Sequence, residues 1–416
     1  VGVAIIVPRA TAFALCLYAL SVLVQEVLRR RPIERAWFTS PLTLALAAFL
    51  TWAGLSLTWS QAPMIGLTVV GYATVLSIIV TLLAFRLSQL TGDVRYWHER
   101  GVAVGLGCGL IFLLIEFALN NPIITNMVET FPGLIAAKGK GFQFQGDRIA
   151  VVQDMFYNRH LASLALLVIP AAIAGAPFIS QKARFAAGLT AFLLALALVA
   201  QGASGAAGLA IAVAGCVWLA ARWRCAAGKW VVIGGLILAI AGVLPIAAGL
   251  ARSGMITNEA IPFSARARIA IWEYTRQETL KSPVIGHGVQ TAQARQDAIN
   301  AQRVAAGARP TSDRFELRPG RHAHNIFLQV WFELGLVGAA LLFAVGYSAV
   351  SQAARLPSAL RPACLAFIAG TFALGAVSWS LWSTWVLAVV AVGVLIISLA
   401  IGRARCGGEA PDHCSP

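Results

Sequence analysis

Residues 324–350, HNIFLQVWFELGLVGAALLFAVGYSAV, decide the architecture. After His324 the run holds one ionised side chain, Glu333, among aliphatic, aromatic and small residues. As a helix rising about 1.5 Å per residue it exceeds the roughly 30 Å hydrocarbon thickness of a bilayer. It therefore predicts a membrane-spanning helix. Similar apolar runs recur at about 10–28, 41–59, 64–86, 101–119, 159–180, 184–200, 204–222, 230–250, 358–378 and 381–402. Residues 1–8, VGVAIIVP, read as the tail of another span ended at Pro8. The expectation is an all-α polytopic membrane protein of about twelve transmembrane helices. The chain starts at Val1 rather than Met, so some N-terminal sequence is expected to be missing, and no cleavable signal peptide is visible.

Composition agrees. Of 416 residues, 59% are apolar and 12% charged, and mean hydropathy is +0.77. A soluble domain is about 45–50% apolar and about 25% charged. A cytosolic enzyme, a secreted module and a disordered chain are thereby excluded. Lys plus Arg is 32 against 17 acidic residues, net +15 with a pI near 10.2. The cations fall in short loops between apolar runs and in one long loop, so nucleic-acid binding is rejected. None of the seven cysteines has disulfide or zinc spacing in a long loop.

The loops alternate in charge. Arg29, Arg30, Arg31 and Arg35 follow the first run, and TWSQAPM after the second has none. Arg86, Arg95 and Arg100 come next; later Lys182/Arg184, Arg222/Arg224/Lys229, Arg355/Arg361 and Arg403/Arg405 alternate with the bare QGASG and SWSLWS. By the positive-inside rule the basic side is cytoplasmic. Trp52, Trp59, Trp379, Trp382 and Trp385 are then expected as anchors at the outer interface. The division expected is transmembrane helices over 1–250 with an outer loop at about 120–158, a large periplasmic loop at 251–323, C-terminal membrane helices over 324–402, and a cytoplasmic tail at 403–416. Long loops cross membranes despite their charge, and connections of this length are usually functional.

The densest chemistry closes the large loop: RPGRHAHNIFLQ at 318–329. Arg318 and Arg321 are permanent cations, and His322 and His324 titrate near neutrality. Asn325, Gln329 and Glu333 recur every four residues, a polar stripe that reads either as a seam between helices or as the lining of a site. His324 starts the helix, where the dipole and nearby arginines keep an imidazole neutral. A neutral imidazole can act as a general base; holding an anion and contributing to a His-x-His metal site are the other readings. The cations around it oppose a metal, and no third ligand is evident.

A second cluster opens the loop: SARARIAIWEY at 264–274, read as a helix to about Lys281. Arg268, Trp272 and Arg276 share one face. Arg266 lies beside them in sequence. The helix reads either as an anion-binding face, since Arg grips phosphate bidentately, or as an amphipathic helix on lipid headgroups. His287, in PVIGHG, reads as structural. Residues 291–306 predict an Ala-rich helix. A third set, Lys138, Lys140, Arg148, Arg159 and His160, reads as snorkelling cations or as part of the same site. Glu116 is a lone buried acid expected to pair with an arginine. No Walker A or dinucleotide fingerprint is present.

These residues resemble a known family. His324-Asn325, nine residues, then Gly335-Leu336-Val337-Gly338 is similar to the His-[Asn/Ser/Gln]-x9-Gly-x-x-[Gly/Thr/Tyr] pattern of bacterial O-antigen ligases. RIAIWEYTRQETLKSPVIGHG at 268–288 resembles the Arg-x-x-x-Trp and Pro-x-x-Gly-x-Gly stretch of the ligase and polymerase superfamily. One feature departs: relatives often carry Ser-Arg-Gly near the start of the seventh run, where this chain has Ala203-Ser204-Gly205-Ala206.

The resemblance implies a GT-C-like, inner-membrane, metal-independent inverting glycosyltransferase with a periplasmic site and no cofactor. Its donor would be O-antigen on undecaprenyl pyrophosphate, its acceptor a lipid A-core sugar hydroxyl, with membrane lipids around it and no nucleic acid. His324 would be catalytic. Arg268, Arg266, Arg159, Arg321 and Arg148 would hold pyrophosphate. His322, Asn325, Gln329 and Trp272 would support the acceptor. The alternatives are an O-antigen polymerase, a protein O-oligosaccharyltransferase, or a polysaccharide-lipid transporter.

Overall fold

The computed structural model describes residues 1–29, 38–131, 142–145, 148–174, 180–202, 204–307 and 317–406. Arg30, Arg31, Arg35, Lys138, Lys140, Ala203 and the tail from 407 lie outside the described residues, as does the side chain of Arg148.

The helices are α1 (Gly2–Ile6), α2 (Thr11–Arg29), α3 (Pro41–Leu55), α4 (Pro63–Ser88), α5 (Gly92–Ala118), α6 (Pro122–Thr130), α7 (Asn158–Ala174), α8 (Gln181–Gln201) and α9 (Gly205–Trp223). They continue with α10 (Cys225–Ala241), α11 (Val243–Arg252), α12 (Phe263–Thr279), α13 (Thr291–Ala305), α14 (Ile326–Ala354), α15 (Arg361–Val377) and α16 (Thr384–Cys406). One antiparallel hairpin, β1 (Phe142–Gln145) with β2 (Arg148–Val152), precedes α7. Several helices start where the sequence marks a start. Proline occupies the first turn of α3, α4, α6 and α15. Ser40 caps α3 by accepting the Thr43 amide at 3.2 Å.

Among the described residues six helices are long and apolar enough to cross a membrane, and seven if the bent pair Ala226–Ala241 and Val243–Arg252 is one span. Pro8–Val22, Asn158–Ala174, Phe185–Gln201 and Arg361–Val377 are shorter apolar helices. The chain is thus a multi-pass helical membrane protein, and the described residues do not confirm the expected count of twelve spans. The run at 230–250 departs from the single helix expected. It bends by 61° between α10 and α11, because Pro245 in the first turn of α11 has no N–H to return to the preceding turn. α1 ends before Pro8, as the sequence indicated.

The core surrounds α7, buried nearly all round through Leu161, Leu164, Leu167, Val168 and Ala171, and packed by α5, α8, α9, α15 and α16. A second apolar cluster joins α14 to α3, Leu236, Val243 and Val289. Phe13, Leu67, Phe185 and Leu219 face outward, as side chains of a bilayer-covered surface do.

The two ends of the bundle differ. At the basic end Arg403 meets buried Glu99 at 3.4 Å and donates to the Ile173 carbonyl at 2.6 Å. An apolar cavity of about 700 Å³ opens there, with Phe185, Gly188, Phe192 and Trp218 in its wall. The opposite end carries His324, the α15–α16 turn and the segment after α12. Three of the five tryptophans expected as interfacial anchors there pack into the protein. Trp382 and Trp385 are buried, and Trp52 donates its indole N–H to the Leu334 carbonyl at 3.0 Å. Glu116 pairs with no arginine among the described residues. It accepts the Tyr157 hydroxyl and the Ile123 amide, the latter at 2.8 Å, so it ties α5 to the loop before α7.

Candidate functional site

The site is built on a break in α14. At Gly335 the backbone leaves the helix (φ 66°, ψ −161°). A β-carbon there would lie 2.3 Å from the Val284 carbonyl oxygen, so the position admits glycine alone. The segment Pro283–Gly288 enters the break and takes up the freed hydrogen bonds. Leu336 N–H donates to Pro283 O at 2.8 Å and Val337 N–H to Val284 O at 3.3 Å. His287 N–H donates to Phe332 O at 2.9 Å and Gly288 N–H to Glu333 O at 2.8 Å. Gly286 (φ 72°) and Gly288 (φ 86°) allow the close passage: β-carbons on them would sit 2.4 Å from Glu333 C and 2.6 Å from Ser60 Cα. Non-helical backbone at membrane depth needs this full satisfaction. The two motifs noted in the sequence, one containing Gly335 and one ending at Gly288, are thus halves of a single lock.

Above the lock, Asn325 caps α14. Its Oδ1 accepts the Phe327 and Leu328 amides at 3.0 and 3.1 Å. His324, one residue earlier, is held at φ 55°, a left-handed conformation that costs a non-glycine residue about 1–3 kcal/mol and concentrates at functional positions. Its Nδ1 lies 3.1 Å from the Ser378 carbonyl in the α15–α16 turn. The His322 ring packs against it, centroids 4.1 Å apart. The His322 Nε2 is buried without a hydrogen-bond partner among the described residues. From the other side Trp272 of α12 donates to the Ala323 carbonyl at 2.8 Å, fixing Arg268, one turn back on the same helix, beside the histidines.

Burial dominates the electrostatics. It lowers the His324 pKa to about 3, assisted by His322, Arg268 and Arg318 and opposed by the bond to Ser378. It lowers His322 to about 4, assisted by Arg268 and Arg321. Both rings are therefore neutral near pH 7. The direction matches the sequence expectation, but desolvation leads, rather than the helix dipole. Burial also lowers the Arg268 pKa. No carboxylate pairs with Arg268 among the described residues. A half-buried guanidinium beside two neutral imidazoles is a site for an anion.

The other expected residues divide. Arg321 is exposed and faces Asp297 at 3.3 Å. Arg266 sits two residues from Arg268, about 200° around α12, on another face. Arg276 forms a two-point pair with Glu273 at 2.7 and 2.8 Å, which removes it from any shared Arg268 face. Arg159 opens α7 half-buried, its Nε unpartnered among the described residues, with Arg9 in electrostatic reach. His287 is structural, its Nε2 2.8 Å from the Glu278 carbonyl and its ring against Phe332. Gln329 is buried and bonds to the α15–α16 turn. Sequence reading missed the Ser378 carbonyl, which every residue type carries and no side-chain pattern reveals, and it left Arg318 out of the site. Among the described residues no three His, Cys, Asp or Glu side chains converge as a metal-ligand group.

Comparison with known proteins places these segments. Residues 189–343, from α8 through the lock, match the family model described as O-antigen ligase. A Rickettsia prowazekii (strain Madrid E) protein provisionally named a polysaccharide ligase is 27% identical over 124 residues, 29% of each chain. A Rickettsia bellii (strain RML369-C) protein of the same provisional name is 26% identical over 236 residues, 56% of each. The matched stretches thus span between about a third and about half of those relatives' own length. The stretch 189–343 holds the motifs on both sides of the lock, so this part of the chain is similar to the O-antigen ligase family, and the relatives that share sequence with the chain carry polysaccharide-ligase names.

Proposed function

We propose that this chain is a transferase that moves a polysaccharide from undecaprenyl pyrophosphate to a sugar hydroxyl of lipid A-core, without a metal and with inversion, at the periplasmic face of the bacterial inner membrane. The observation that carries the reading is Arg268: half-buried, without a carboxylate partner among the described residues, and fixed beside the neutral His322–His324 pair at the head of α14. The charge alternation of the loops supports the placement of this end outward.

The acceptor hydroxyl oxygen attacks the anomeric carbon. The bond from that carbon to the pyrophosphate oxygen breaks, and its electron pair leaves with the pyrophosphate. Arg268, with Arg318 and Arg159 as further cations, stabilises that charge. The hydroxyl proton passes to His324, whose neighbours His322 and Asn325 hold its position. In the resting site His324 is a weak base. A pyrophosphate against Arg268 cancels the local positive field and raises the imidazole's proton affinity when the proton has to move. Removing one electrostatic donor of this kind costs about 100–1,000-fold in rate.

The test is reconstitution of the protein in nanodiscs with lipid-pyrophosphate O-antigen and lipid A-core. Polysaccharide joined to lipid A-core supports the proposal. Lengthened lipid-linked donor with bare lipid A-core makes the protein a polymerase instead.

A further inference from the structure

Glu333 is 2% exposed within α14. No Lys or Arg pairs with it among the described residues. Its carboxylate instead collects donors. Trp382 Nε1–H reaches Oε2 at 2.7 Å, Gln329 Nε2–H reaches Oε1 at 3.1 Å, and the Gln290 backbone N–H also bonds to it. A buried acid in a membrane helix is costly and usually functional.

The polarity of these bonds runs in one direction. Glu333 accepts at both of its oxygens, from Trp382 and from Gln329, so the Gln329 amide turns its NH2 toward Glu333. Its Oε1 then faces the α15–α16 turn, where it accepts the Leu381 N–H at 3.0 Å, while Nε2 also reaches Ser380 Oγ at 3.0 Å. That turn presents the Ser378 carbonyl to His324 Nδ1. A carbonyl only accepts, so Nδ1 carries the proton and Nε2 keeps its lone pair.

We propose that Glu333 is a positioning residue. Its carboxyl group, accepting at both oxygens, orients Gln329, Gln329 fixes the Ser378–Trp382 turn, and the turn holds His324 in the Nδ1–H tautomer with Nε2 free to take a proton. The chain of bonds reaches from the lock to the reacting ring, since Glu333 also accepts from Gln290, two residues past the segment that enters the α14 break. The proposal rests on the reading of His324 as proton acceptor.

Polarity, unlike packing, can be inverted without changing shape. Glu333→Gln places an NH2 against either Trp382 N–H or the Gln329 NH2, and Gln329→Glu sets two carboxylates against each other. The exchange Glu333→Gln with Gln329→Glu restores the pairings between the two residues and with the turn: residue 329 accepts from Leu381, Ser380 and residue 333, and residue 333 still accepts from Trp382. In 15N-histidine-labelled protein, assigned with His324→Gln, the wild type should show His324 as Nδ1–H with Nε2 unprotonated. Each single variant should lose that signature and about 100-fold in kcat with little change in KM, the lower end of a general base's contribution. The double exchange should recover both.

Wild-type His324 found as the Nε2–H tautomer overturns the proposal, as does a Glu333→Gln protein with wild-type shifts and rate. Should a single variant fail to fold, the wild-type tautomer and the double exchange still decide. The shifts need no substrate. Correct shifts without polysaccharide transfer in any sample would therefore discard the functional reading and leave the positioning chain intact.

Discussion

Gly335 and Val284 lie in backbone contact across the break in α14, with space for no β-carbon between them. This contact joins the two sequence motifs and carries the loop after α12 into the break of α14. Gly335→Ala combines a positive φ with a direct clash against backbone and should cost about 3 kcal/mol or more. Gly286→Ala should act alike, because its β-carbon would meet Glu333 from the other side. Both remove one lock, so the double variant should be little worse than either single one. Thermal melts of the four purified proteins check this; independent, additive losses would show that the lock is not a unit.

Arg268→Lys keeps a cation but not the planar fork, and Arg268→Gln keeps neither. Transfer should fall by about 100–1,000-fold in Arg268→Gln, with melting unchanged, since no ion pair is lost among the described residues. Arg276→Ala should leave transfer within about threefold, because that side chain is committed to Glu273. The ratio of initial rates in one assay separates the two arginines that the helical face seemed to group.

The pH dependence has a definite sign. His324 must be neutral to accept a proton, so activity is lost as pH falls through its pKa, which the fold lowers from 6.5 to about 3. The acid limb of kcat/KM should therefore lie well below pH 6.5, and the limb of kcat should lie higher, since bound pyrophosphate offsets Arg268. Arg268→Gln removes a positive neighbour and should move the kcat/KM limb upward. A wild-type limb at the ordinary imidazole value would contradict a buried, cation-flanked His324.

Tyr157→Phe tests the second buried acid. It leaves a fully buried Glu116 oxygen without its hydroxyl donor, at a cost of about 1–3 kcal/mol. The melting temperature should fall while the rate measured at low temperature holds.

Much of this was legible in the chain. Apolar run length exposes the membrane helices, and the loop charges sort its ends. The helix over Phe263–Thr279 ends before Pro283 as its sequence indicates. The His324 cluster was legible because cations and imidazoles crowd a helix start. Other features were hidden for physical reasons. The bend at Gly242 sits inside an apolar run that hydropathy treats as continuous. The break at Gly335 exists only because a segment about fifty residues earlier fills it. Glu116 looked like a partner for arginine, because backbone amides and a tyrosine hydroxyl leave no charge pattern. The tryptophans near the bare loops fit an interfacial belt by composition, yet Trp52 and Trp382 face inward to bond Leu334 and Glu333.

The proposed transfer rests on His324, on its arginine-flanked perch, and needs no metal. The most direct measurement is transfer from lipid-pyrophosphate O-antigen to lipid A-core in nanodiscs containing EDTA, with wild type beside a folded His324→Ala protein. The expected result is laddered lipopolysaccharide from the wild type and a loss of about 100-fold or more in the variant. Wild-type transfer that EDTA abolishes, or a His324→Ala protein as active as wild type, would contradict the claim.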